Sequence, residues 1–494
     1  MGVIMKIILC ISKIVSLFIC ISSLSVAQEF QIYGETNFEA SGNHEAHKKF
    51  IEGLLQLHNF EYDDARNSFL LAQDIDPDFV MAYWGEALTF EHPLWSRHNL
   101  QASRNALAKI AQSKEERINK AITEREKHYI ESIEILFGEG SQEEREINYS
   151  LKLKEIYEQY PDDLDAAAFY ALSLITISHE GRDFSLYMRA GAITEDILLI
   201  NPRHPGALHY AIHSYDDPIH APLGLRAAKT YVEVAPSAVH ALHMGSHIYF
   251  ALGMWELGTE RNTRSFEEAI ARRASPDDPY GNQAYHALTW LIYSLNQEGK
   301  HDQAAEKLSI IEKQMKLHNR VMDRQNFIAG RSSYLIDTQD WLGHFAKIEV
   351  NYEGLSPYFV STDQYIQGVI ALKNKDLESA LVALQNINGS EPIQTKSRSA
   401  MAPRLMHLSL EAQIELIKGN EKIAIDLMQQ AVEMELSVSP EYGPPVPVQP
   451  TAELLGNIYL ILDKKSLAKE SYEESLKNTF GRLISENGLK KSIE

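Results

Sequence analysis

The chain has 494 residues, 44% apolar and 9% aromatic, so it has the material for a large core and is not a disordered polymer. Its 47 lysines and arginines against 68 aspartates and glutamates leave a net charge of −21, which argues against a nucleic-acid backbone or an anionic membrane surface as the main partner. Glycine (26) and proline (18) are near ordinary usage, which excludes collagen-like and linker-dominated chains.

Residues 1–27 read as a secretory signal peptide: Lys6 and Lys13, an apolar run from Ile14 to Leu24, then Ser25-Val26-Ala27 before Gln28. The run is too short to span a bilayer, and Cys20 lacks the setting of a lipid attachment site, so no stable membrane anchor is expected. The protein is placed in a periplasmic or secreted compartment. Cys10 and Cys20 are the only cysteines, so the mature chain is expected to hold no disulfide, thiolate metal site or cysteine nucleophile.

Residues 28–43 form a lead-in. From there small residues recur twelve apart, as in Gly53/Ala65, Ser246/Gly258, Gly368/Ala380, Ala412/Ala424 and Gly456/Ala468, each amid apolar residues at helical spacing. Pro77, Pro161, Pro202 and Pro236 punctuate the helical stretches, the last two 34 residues apart. The pattern predicts helix-turn-helix units over 44–160, a histidine-rich block over 161–318, further units over 319–484 and a frayed tail over 485–494. Ser439 to Gln449 is proline-rich and reads as an ordered loop.

Asn59 to Pro77 (NFEYDDARNSFLLAQDIDP) and Gln297 to Ile311 (QEGKHDQAAEKLSII) resemble the tetratricopeptide repeat, with its glycine turn, central alanine and closing proline. Asn201 to Tyr249 and Ala82 to Trp95 look like a group of exported bacterial proteins built from this repeat, a likeness that implies no particular activity. The resemblance implies an all-α, right-handed superhelix of about nine to eleven units, with ligands taken on the concave face by the first helix of each pair.

Seven of the 19 histidines lie between His204 and His247. His209 and His213 are four apart, His243 and His247 are four apart, and the pairs are displaced by 34 residues. At about 100° per residue, His240, His243 and His247 share an arc of about 60°, as do His209, His213 and Asp216. The expectation is one patch on the concave face, joined by His286. Imidazoles at i, i+4 suit a divalent transition metal such as zinc or copper, with Asp216 as ligand or as the acceptor that orients a histidine. The same residues also fit packing, hydrogen bonding to a polar ligand, and acid-base work.

Phe50, Trp84, Glu91, His92 and His286 are expected to line a ligand groove, with His47, His58 and Met81 nearby. His179, Glu180 and His220 read as turn or supporting residues. HExxH, GxSxG, P-loop and GxGxxG patterns are absent, so no catalytic residue is named. The leading expectation is a binding or scaffold protein for a peptide, protein partner or glycan. The rivals are a metal-binding protein or metal-dependent enzyme, and an accessory protein of extracellular polysaccharide utilisation.

Overall fold

The computed structural model describes residues 32–494 apart from Ser96, Ser390, Glu391, Pro392, Gln394 and Glu441; the segment 1–27, expected from the sequence to be a signal peptide, lies outside the described residues. The chain is all-α. Among the described residues are 23 α-helices and a single two-residue strand pairing, with Glu91 opposite His98 and His92 opposite Arg97. No described helix is long and apolar enough to cross a membrane. Ser113, Thr123 and Ser141 each start a helix with a reciprocal capping box, which satisfies backbone donors that the first turn leaves open.

The chain divides into two compact units. One comprises residues up to Ile177 with Arg189–Ala211 and Thr230–Ala241; the other comprises Ser178–Met188, Ile212–Lys229 and Leu242–Glu494. In the first, helices His44–His58 and Tyr62–Ile75 form a packed pair, and Gln142–Gln159 packs against both Glu124–Leu136 and Leu164–Thr176. Its core is aromatic: Phe38 lies 5.3 Å from Phe50, 6.2 Å from Trp84 and 5.2 Å from Tyr129, ring centre to ring centre.

The second unit stacks further pairs: Trp255–Ala271 with Asn282–Gln297, Pro357–Lys373 with Leu377–Asn386, Arg398–Ile417 with Glu421–Leu436, and Thr451–Ile461 with Lys465–Asn478. The segment expected as a frayed tail is instead the helix Leu483–Ile493, packed on Lys465–Asn478 with Ser485 buried.

A recurring helix end explains the pairing. Phe60, Gly253, Gly299, Lys375, Gly419 and Asp463 all have positive φ, between 56° and 83°. The residue after each donates its N–H to the carbonyl five positions back, as in Glu61 to Gln56 (3.0 Å) and Lys464 to Tyr459 (2.8 Å), the mark of a Schellman cap. Five residues after each left-handed position comes a small, buried residue of the second helix: Ala65, Gly258, Ala304, Ala380, Ala424 or Ala468. The first helix answers with its own small residue; a Cβ added at Gly53 would lie 2.8 Å from the Phe69 ring, and one at Gly456 2.8 Å from Tyr472. Lys375, Gly419 and Asp463 are 44 residues apart, so the last three pairs repeat with a longer period than the 34 read around Pro202.

Candidate functional site

In the first unit the structure gathers His58, His204, His209 and His240, all buried. His58 donates through Nε2 to Asp165 Oδ1 (2.9 Å) and accepts at Nδ1 from the Tyr210 hydroxyl (3.0 Å); Thr36 donates to Asp165 Oδ2 (2.6 Å). His204 accepts the Ala207 N–H at Nδ1 (3.2 Å), so its proton sits on Nε2, 3.5 Å from Asp165. Burial opposes the Asp165 charge, but hydrogen bonds from His204 and His58 prevail and hold its pKa below the usual carboxylate range. His209 donates through Nδ1 to the His58 carbonyl (2.8 Å), and its Nε2 meets His240 Nε2 at 3.1 Å. Phe60 packs against both rings.

In the second unit His213, Asp216, His243, His247 and His286 come together. His213 and His247 each direct Nδ1 at Asp216 Oδ2, at 3.2 and 2.9 Å, while Arg182 binds the other carboxylate oxygen. Burial works against the Asp216 charge, but Arg182 and the two histidines outweigh it and lower its pKa. His243 donates through Nδ1 to Asn262 Oδ1 at 2.6 Å, and Asn262 Nδ2 donates to the Gly258 carbonyl at 2.8 Å. The Nε2 atoms of His243 and His247 are 3.1 Å apart, and one nitrogen each from His243, His247 and His286 lie within 4.8 Å of one another.

Aromatic rings fix these orientations. His247 is sandwiched between Trp290 (4.6 Å, 25°) and Tyr442 (4.8 Å, 26°), and Trp290 also meets His243 edge-on at 4.7 Å. Tyr442 comes from the proline-rich loop, where Gly443 has φ +85° and a Cβ would lie 2.3 Å from Trp290. Trp290, Asn262, Tyr442 and Arg182 were not singled out in the sequence. Only Trp290 carried a signal, since it lies four residues after His286 on one helix face.

The expected aromatic groove requires correction. Phe50 and Trp84 are completely buried, because Phe38 from the lead-in packs against both, Phe69 and Phe79 close on Phe50, and Tyr129 and Phe169 from later helices close on Trp84. Glu91 is buried against His98 (2.6 Å), and His92 stacks on Tyr62 at 3.9 Å. His286 belongs to the second unit's histidine group.

An open cleft of about 470 Å³ lies elsewhere in the second unit. Its wall is apolar, with Leu416, Leu454, Ile458 and Tyr472, and its rim includes Ile417 and Ile461, which are 57% and 70% exposed. Gln413 and Asn457 contribute amides, Lys373 and Lys491 contribute cations, and no aspartate or glutamate is among the lining residues.

No family model matches this chain, and no curated protein matches it. Solved structures align over most of its length at low identity. A crystal structure of the APC/C hetero-tetramer Cut9–Hcn1 is 16% identical, with 96% of this chain and 82% of the other covered and a TM-score of 0.37. A monomeric IFIT1 mutant with Gppp-AAAA is 13% identical, with 91% and 99% covered and a TM-score of 0.41. The P58(IPK) TPR domain is 13% identical, with 91% and 97% covered and a TM-score of 0.22. Overlaps this loose carry nothing about ligands.

Proposed function

We propose that this chain is an exported binding protein that takes an apolar, acid-flanked segment of a partner protein into the cleft between Val369 and Lys491 of its second unit. One observation carries the reading: in a chain of net charge −21, the cleft is lined with two lysines and no acid. Exposed Ile417 and Ile461 offer apolar contact, and Gln413 and Asn457 offer hydrogen bonds to a peptide backbone. A glycan is less well matched, because Trp84 and Phe50 are sealed in the core.

The cleft contains Trp341, so its fluorescence reads occupancy. Amphipathic peptides with acidic flanks are expected to bind and to weaken as salt rises, whereas the same peptides with basic flanks should not. The double variant Lys373→Glu, Lys491→Glu should reverse that preference. Equal binding of acidic and basic peptides overturns the reading. Export is checked separately by N-terminal sequencing of the secreted or periplasmic protein, with Gln28 expected first.

A further inference from the structure

We propose that His243, His247 and His286 form a binding site for one divalent transition-metal ion of the zinc or copper type, with Asp216 and Asn262 as its orienting groups. This goes beyond the cleft and does not depend on it. Proton placement sets the chemistry of these nitrogens. Asn262 Nδ2 is committed to the Gly258 carbonyl, so the amide oxygen faces His243 and requires the proton on His243 Nδ1. The Asp216 carboxylate likewise requires the proton on His247 Nδ1. Both Nε2 atoms are then acceptors, and they face each other at 3.1 Å. Two lone pairs at that distance repel unless a cation lies between them.

A proton is the simplest cation, but this environment disfavours it. His243 and His247 are buried, with the His286 and Trp290 rings packed against them, so a charge confined to one imidazole is poorly solvated. A metal ion needs those same neutral nitrogens. At 2.0–2.1 Å from each ligand it sets tetrahedral nitrogens about 3.3 Å apart, close to the observed pair, and the His286 nitrogen, within 4.8 Å of the other two, has to close a gap of at most about 1.5 Å. An imidazole whose second nitrogen donates to a carboxylate is the common arrangement around bound metals. Partly exposed His286 provides a route to solvent, and three imidazoles leave a fourth position open.

Two other histidine groups fail the same test. His204 accepts a backbone N–H at Nδ1, so its Nε2 carries the proton and is not a ligand. His98 faces Glu91 at 2.6 Å and Glu146 at 3.3 Å, and an imidazolium satisfies both carboxylates.

The test uses the full chain without a histidine tag, stripped with chelator and titrated with Zn²⁺ by calorimetry and with Co²⁺ by absorption. One ion per chain and the intense visible bands of tetrahedral cobalt are expected, and Cu²⁺ should quench a larger share of the tryptophan fluorescence in the wild type than in Trp290→Phe. Asp216→Asn should weaken affinity by about 10–100-fold, and His286→Ala by at least that much. Because His243→Ala removes a buried ring and invites misfolding, partly exposed His286 is the decisive position, with circular dichroism confirming the fold. His301→Ala, outside the cluster, should leave binding unchanged. No stoichiometric uptake by the wild type, or uptake unaffected by His286→Ala, overturns the site.

Discussion

His98 shows how much one titrating side chain contributes when carboxylates bracket it. Burial opposes its charge, yet Glu91 and Glu146 prevail and raise its pKa, while burial lifts Glu91 as well. A histidine whose pKa is raised on folding stabilises fully below its unfolded value near 6.5 and loses that contribution as pH rises through the folded value. Thermal unfolding from pH 6 to 9 should therefore show wild-type stability falling relative to His98→Gln; parallel curves would exclude the charged bridge. At this scale the sequence was only half legible. The register of the histidine pairs is visible in their spacing, but the groups that assign their protons are not, because Asn262 and Tyr442 meet them only through tertiary packing.

Helix ends set the next level. Where the left-handed cap residue is not glycine, the backbone carries strain of roughly 1–2 kcal/mol, partly offset in any glycine replacement by chain entropy. Lys375 and Asp463 are exposed, so Lys375→Gly is expected to stabilise by about 0.5–1 kcal/mol in chemical denaturation. At the opposite face Gly456→Ala forces a methyl against the Tyr472 ring and should cost about 1–3 kcal/mol. A gain from Gly456→Ala would refute the close-approach account. These pairs were readable because small residues twelve apart record where helices touch. The caps at Phe60, Lys375 and Asp463 were not, since nothing in those residue types announces a positive φ. The burial of Trp84 was hidden for a related reason: rings that cover it come from segments far away in sequence.

Across the second unit, buried Arg482 gathers distant helices. It donates to Glu453 at 2.7 Å, lies 2.9 Å from Asp337 and reaches the Tyr293 hydroxyl at 3.4 Å. Removing one member of such a cluster leaves buried charge uncompensated, so Arg482→Ala should cost about 3–5 kcal/mol in calorimetric unfolding, whereas an exposed pair such as Lys422 with Asp426 should contribute less than about 1 kcal/mol. That cluster also explains why 485–494 is helix and not a frayed end: its anchor lies in helices Asn282–Gln297, Val321–Thr338 and Thr451–Ile461, invisible to any local reading.

The equal spacing of Lys375, Gly419 and Asp463 also bears on how such a chain changes length during evolution. Excising residues 376–419 joins Lys375 directly to Asn420, and the positions next to the junction inherit the roles of those removed: Ala424 takes the place of Ala380 opposite Gly368, and the cap at Lys375 is followed by the second helix that Gly419 once introduced. A gene of this kind can shed or duplicate a unit by unequal crossing-over where the join falls near these turns, because there the caps and the small residues coincide. A deletion of 34 residues at the same place would instead bring the left-handed turn into the middle of a helix.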